Sequence, residues 1–337
     1  MAEPQFLPAA VARRAAADPE SPFIFWPEGL DWRWWSWRRV ADLAARWAAP
    51  LGGLPRDAVV GFDGGAYPRA MALDLAVQAA GLTPAPTASG ALPAGCGWWL
   101  EVEGGPAGEA RVRRLEGGGD AAWPAGGLLV FDAGEWRWLS HAALAGAAAR
   151  LGGTIRGAGG IAGIGGPGET GETGETGEVG GTGEIGGTGE IGGRVAAGRR
   201  EIVVAGEPLG QWGARLTAAW AAVEGAALVL EPAPDPATRI STILWARPTV
   251  ALCSAGDLAA LRNHVVAQCS RGLLRRLFRR SSPIPPALPR ARLRVLLQAD
   301  PPEPSAVAFW RGLGVTLSSL EPAAAAAPFG ETLAAEP

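Results

Sequence analysis

The stretch Glu201–Pro232, EIVVAGEPLGQWGARLTAAWAAVEGAALVLEP, decides the fold. IVVA is a short apolar run closed by Gly206, the pattern of a strand. LTAAWAAVE is built from helix formers, and Gly225 ends it. ALVL then runs as a second strand through Leu230. A strand, a helix and a strand joined by short turns form a βαβ unit, whose two strands run parallel.

The same order recurs on both sides. Downstream, ILWARPTVALCSAGDLAALRNHV reads as helix, strand and helix, with Ser254 or Asp257 opening the last helix, and LRVLLQAD (Leu293–Asp300) is one more strand. Upstream, Phe6–Ala17 reads as a helix ended near Pro19. In DWRWWSWRRVADLAARWAAPLGG, Ser36 is a candidate N-cap, and Trp37, Val40, Ala44 and Trp47 recur at helical spacing. Ala58–Phe62 is a strand, Met71–Ala80 a helix ended by Gly81, and GLTPAP a turn into an edge or loop. WWLEVEG (Trp98–Gly104) and LLVFDAG (Leu128–Gly134) are strands, and Ser140 caps the helix HAALAGAAARLGG. The expected fold class is α/β, with layered, largely parallel sheets flanked by helices.

The 337 residues carry a net charge of −3, which favours neither nucleic acid nor an anionic membrane. Cys96, Cys253 and Cys269 are widely spaced and the only histidines are His141 and His264, so a structural zinc site is not expected. MAEPQFLPAAVARRAAADPE has no signal-peptide core, and no apolar run reaches the roughly 20 residues of a membrane span. A cytoplasmic location is expected. GxSxG, HExxH and GxxxxGK[ST] do not occur.

Glycine falls at every third position from Gly165 to Gly192, in GGPGETGETGETGEVGGTGEIGGTGEIGG. That is the collagen period, but Pro167 is the only proline, where a triple helix ordinarily needs about 15–20%. The segment cannot bury enough apolar surface to offset its ordering entropy. The expected organisation is an N-terminal α/β subdomain over 1–160, a disordered Gly-X-Y loop over 161–196, a second α/β subdomain over 197–321 and an Ala/Pro-rich tail over 322–337. A trimerising arm, which would make the chain a structural or interaction module, is the alternative reading.

With the repeat set aside, the order of elements resembles the N-terminal part of the adenylate-forming (AMP-dependent synthetase/ligase) family, in its long-chain acyl-CoA synthetase branch. AVVGFDGGAYPRAMALDLAVQAAGLTPAPT is similar to that family's strand, helix and "aGa-x-x-x-P" turn. LSHAAL (Leu139–Leu144) resembles the "TH-x-N-L" after its phosphate loop, and IVVAGEPLGQWGARLTAAWAAVEGAALVLEPAPD its "LP-x-x-H" strand, helix and strand. LRVLLQADPPEPSAVAFWRGLGVTL resembles its "sGgapl" segment.

The departures are as specific. The family's phosphate loop is rich in Ser, Thr and Gly and ends in Pro-Lys-Gly, whereas FDAGEWRWLSH offers Gly134, no lysine, and the carboxylates of Asp132 and Glu135. The adenine-contact segment reads Gln298, Ala299, Asp300, and the family's C-terminal half, with its hinge and catalytic lysine, has no counterpart. The resemblance therefore implies no catalytic residue. It leaves Ser140, His141, Gln298, Ala299 and Asp300 as candidate ligand contacts. It implies an acyl- or adenylate-binding or partner-binding pseudoenzyme. A fatty acid–CoA ligase using ATP, magnesium and CoA with a partner chain is the alternative. The bland reading of His141 is a structural helix-start histidine.

Two surfaces carry further expectations. The tryptophans around Trp32–Trp37 read as packing on a hairpin, or as a lipid-facing patch. Arg271–Ser282, RGLLRRLFRRSS, is basic and amphipathic, the pattern of a solvated surface helix or of one lying at an anionic lipid interface.

Overall fold

The computed structural model describes residues 6–28, 31–65, 68–87, 92–93, 95–104, 108–116, 123–124, 127–132, 135–158, 182–185, 201–231, 235–276, 293–298 and 301–320. Helix α1 (Phe6–Ala17) leads into the hairpin β1 (Pro22–Glu28) and β2 (Asp31–Ser36), then α2 (Trp37–Ala48). β3 (Val59–Asp63), α3 (Arg69–Ala79), β4 (Thr83–Thr87), β5 (Cys96–Glu103) and β6 (Glu109–Arg114) follow. A second hairpin, β7 (Leu128–Asp132) and β8 (Glu135–Leu139), precedes α4 (His141–Ala158) and β9 (Thr182–Ile185). The remainder alternates: β10 (Ile202–Ala205), α5 (Trp212–Glu224), β11 (Ala227–Leu230), α6 (Pro236–Ala246), β12 (Val250–Leu252), α7 (Ala255–Arg276), β13 (Val295–Gln298), α8 (Pro304–Gly312) and β14 (Thr316–Ser319).

These strands make an eight-stranded sheet in the order β14-β13-β12-β10-β11-β1-β2-β9, a four-stranded sheet β4-β3-β5-β6, and the two-stranded β7-β8. From β14 to β1 the large sheet is parallel; β2 and β9 are antiparallel. The quoted stretch supplies β10, α5 and β11 at its centre. Their side chains alternate in the way a sheet covered on both faces requires. Val203, Ala205, Leu228, Leu230, Val250 and Leu252 join a core shared with helices α1 to α5 and with Val60 and Phe62 of the smaller sheet. Ile202, Val204, Ala227, Val229 and Ala251 join a second core under α6, α7 and α8. The first set of helices is thus a layer between two sheets.

Local signals fix the ends of these elements. Ser36 accepts a hydrogen bond from the Arg39 amide at 3.1 Å and caps α2. Gly225 closes α5 at φ 75°. Asp235 accepts from the Thr238 amide at 2.9 Å, with Pro236 at the first position of α6. Ser254 and Asp257 both open α7. The Ser254 hydroxyl accepts from the Asp257 amide at 3.2 Å and the Asp257 carboxylate accepts from the Ser254 amide at 2.9 Å.

Several expectations change. GLTPAP becomes strand β4 at the edge of the smaller sheet. β6 and β8 are strands that the sequence pattern did not announce. Trp32, Trp34, Trp35 and Trp37 are buried and form no lipid-facing patch. Trp37 stacks on Phe23 with ring centroids 3.7 Å apart, and Trp32 on Trp245 at 4.4 Å. Of the Gly-X-Y segment, Thr182–Ile185 is a strand, and the rest of 161–196 lies outside the described residues, as does the tail over 322–337. Of Arg271–Ser282, the backbone of 271–276 continues α7 and the remainder lies outside the described residues. Among the described residues no helix is long and apolar enough to cross a membrane.

Candidate ligand-binding site

The strand order locates the site. From β10 the chain crosses to β11 on one side, then returns to β12 on the other. In an open parallel sheet the crevice outside the strand C-termini at such a reversal is where ligands bind. Here it is framed by Gly206 and Glu207 after β10 and by Cys253 and Ser254 after β12.

Four side chains furnish this crevice. Arg239 of α6 lies across the end of β10, so that a Cβ on Gly206 would stand 2.8 Å from its Cδ. Its Nε donates to Asp257 at 2.7 Å, and the other Asp257 oxygen accepts from the Ser254 hydroxyl at 2.8 Å. Glu207 folds over the first turn of α5, with Oε2 2.9 Å from where a Gly213 Cβ would be. A carboxylate there stands beside the first turn of α5, a place that would otherwise favour a ligand anion. Cys253 is buried beneath this group, and burial, then the Asp257 carboxylate, push its thiol well above the ordinary range. Gln298, the last residue of β13, is 6% exposed, and its carbonyl accepts from the Leu320 amide at 2.7 Å. Gln298 therefore stands one strand away from the reversal. Ala299 and Asp300 lie outside the described residues.

Ser140 and His141 belong to a different place. The Ser140 hydroxyl accepts from the Ala143 amide at 3.1 Å and caps α4. His141 is the first residue of α4 and is 4% exposed. Burial, then the neighbouring Arg215 guanidinium, lower its pKa to about 4. Arg215, inside α5, is itself fully buried. It pairs with Asp74 of α3 and donates to the Leu129 carbonyl of β7 at 3.0 Å. Gln78, one turn along α3, donates to Asp74 at 2.6 Å. Burial raises Asp74 and lowers Arg215, each against the pull of the other. Gly213 reaches Leu320 and Arg215 reaches His141, so the first turn of α5 stands between the two groups of candidates.

The segment aligned by resemblance with a phosphate loop is the β7–β8 hairpin. Its strands pair from Leu128↔Leu139 to Asp132↔Glu135. The Phe131 amide donates to the Gly210 carbonyl at 2.8 Å, joining the hairpin to the loop that leads into α5. Two close approaches hold this junction. A Cβ on Gly210 would fall 2.2 Å from the Pro86 carbonyl oxygen, and one on Gly127 would fall 2.2 Å from the Trp138 ring. Glu135 is exposed and pairs with Arg137 at 3.4 Å. Among the described residues no group of three or more His, Cys, Asp or Glu side chains is placed to hold a metal ion.

The Arg239–Asp257 pair was not legible in any local pattern, because its partners are 18 positions apart on two helices. The Ser-x-x-Asp capping box and the glycine closing β10 were the readable parts.

No family model matches the chain, and no curated protein does. Solved structures do. The crystal structure of IdnL1 is similar at TM-score 0.57 and 17% identity, over 94% of this chain and 59% of that one. The N-terminal domain of FACL13 from Mycobacterium tuberculosis is similar at TM-score 0.57 and 13% identity, over 94% of this chain and 75% of that one. The O-succinylbenzoate coenzyme A synthetase MenE from Bacillus subtilis gives TM-score 0.56 and 10% identity, over 91% and 60%. The chain thus spans about 59% of the length of IdnL1. What it shares with these proteins is the fold of the N-terminal part of adenylate-forming enzymes.

Proposed function

We propose that this chain is a non-catalytic binding protein on the adenylate-forming scaffold, with a pocket for an acyl or adenylate ligand and no seat for a triphosphate. The β7–β8 hairpin carries this reading. A phosphate cradle needs free amides, hydroxyls and a cation aimed at the anion. Here Leu128–Asp132 and Glu135–Leu139 pair with each other as antiparallel strands. The residues at the turn include two carboxylates, and all 30 basic residues of the chain are arginine, so no lysine is available.

Magnesium-bound ATP does not fit these residues. Carboxylates at the hairpin tip repel phosphate oxygens. At the other end of the site Glu207 covers the start of α5 and Asp257 holds the nearby Arg239. A ligand whose phosphate charge is reduced or esterified avoids most of that repulsion, which is why an adenylate or acyl group suits the crevice better than ATP.

The test is pyrophosphate exchange. The purified protein, with magnesium, ATP, labelled pyrophosphate and a panel of aliphatic and aryl carboxylic acids, is expected to give no exchange above the protein-free rate. Acid-dependent exchange with any member of the panel would overturn the proposal.

A further inference from the structure

Three buried polar atoms on one connected set of side chains have no hydrogen-bond partner among the described residues: Oε1 of Gln78, Nε of Arg215 and Nδ1 of His141. Gln78 and Arg215 are fully buried, and His141 nearly so. They come from three helices of the layer between the sheets. Gln78 of α3 donates its amide nitrogen to Asp74 at 2.6 Å, which leaves its oxygen as the unpartnered atom. Arg215 of α5 commits one Nη to Asp74 and the other to the Leu129 carbonyl of β7 at 3.0 Å, which leaves Nε–H. His141, at the head of α4, is close enough to the Arg215 guanidinium to feel its charge.

The chemistry of these atoms defines what satisfies them. Nε–H only donates, and an amide oxygen only accepts. The imidazole is neutral at pH 7, with its pKa lowered to about 4, so that Nδ1 is able to accept. Leaving three such atoms bare in an interior is costly, and native folds rarely do so. An anion is a poor match, because Asp74 already balances Arg215 and the Gln78 oxygen repels negative charge. A cation is opposed by Arg215. A small neutral group that accepts once and donates twice answers all three atoms, and a buried water ordinarily makes about three hydrogen bonds.

We propose that one ordered water is bound between α3, α4 and α5, accepting from Arg215 Nε and donating to Gln78 Oε1 and His141 Nδ1. The bridge fixes His141 as the Nε2–H tautomer. It gives the imidazole a partner inside the fold, where the resemblance had set this histidine beside a ligand. It also joins the three helices at the point where the Arg215–Asp74 pair leaves hydrogen-bonding capacity over.

The chain has only two histidines, His141 and His264, which makes imidazole NMR a direct test. The full chain is labelled with ¹⁵N-histidine, and His264→Gln assigns the signals. At pH 7 the His141 ring is expected as the Nε2–H tautomer, with an unprotonated Nδ1 and a cross-peak from its Hε1 proton to a long-lived water. An Nδ1–H tautomer, or no water cross-peak, would overturn the proposal. The same spectra are recorded with sodium chloride and with sodium gluconate. The His141 nitrogens are expected to be unchanged; a chloride-dependent shift would overturn the water in favour of a bound anion. A second measurement counts molecules. Water ¹⁷O relaxation dispersion of the parent and of His141→Phe is expected to show one long-lived internal water fewer in the variant, and an equal count would also overturn it. The spectra of the unaltered ring decide the matter even where that variant does not fold.

Discussion

His141, buried at the head of α4 with its pKa lowered to about 4, makes the neutral imidazole part of the fold. In the unfolded chain the same group titrates near its ordinary 6.5. The unfolded state therefore binds more protons between these values, and stability falls as pH drops from 6.5 toward 4. The loss is on the order of 3 kcal/mol at most. Asp74 acts in the opposite sense, since its raised pKa gives stability that is lost as pH rises through its folded value. The histidine's share is isolated by comparing the urea stability of the parent and His141→Gln across this window; the variant is expected to lose most of the slope. Arg215 gives a sharper case. Arg215→Met strands the buried Asp74 carboxylate and frees the Leu129 carbonyl, and should cost about 3–5 kcal/mol. Adding Asp74→Leu to that variant is expected to recover much of the loss, as read by chemical denaturation. Neither result is expected of groups that act only on a ligand.

The elements differ in how plainly they were written. β10, α5 and β11 were legible because a strand covered on both faces is a continuous apolar run, and because Gly225 could only end a helix. β6 was not, since EARVRR is a mostly exposed edge strand. It is held to β5 partly by Arg111–Glu103 at 2.8 Å and Arg113–Glu101 at 3.9 Å, pairings that exist only once the strands meet. β8 was hidden by its resemblance to the end of a phosphate loop, and β9 by a composition with no strand signal. The strand-end rule pointed to Gln298, which stands one strand from the β10/β12 reversal, and helix capping pointed to Ser140, which caps α4 away from that crevice. The crevice at the β10/β12 reversal depends on strand order, which no local pattern encodes. The loop before α5 is where elements meet most closely. Gly210→Ala would drive a methyl into the Pro86 carbonyl and part the hairpin from β4. It should destabilise the chain by about 1–3 kcal/mol, and hydrogen exchange should show the effect first at the Phe131 amide.

At the scale of the molecule, two sheets enclose a helical layer, and the loops that could hold a ligand gather where the strands of the larger sheet end. The likeness to IdnL1, FACL13 and MenE speaks to that scaffold, and chemistry must be argued from the site. The proposed function sets that site between the β7–β8 hairpin, with Asp132 and Glu135 at its end, and Glu207 beside the first turn of α5. Its central claim, a pocket for an adenylate without a seat for a triphosphate, is tested most directly by a thermal-shift titration of the whole chain. One arm uses an acyl-sulfamoyl adenosine, which keeps acyl and adenosine but lacks the phosphates, and the other uses magnesium-ATP at the same concentrations. A ligand at about a hundred times its dissociation constant adds roughly 2.7 kcal/mol of stability. The account predicts that the midpoint rises with the sulfamoyl adenosine and stays fixed with magnesium-ATP. A rise with magnesium-ATP, or none with the sulfamoyl adenosine, would contradict it.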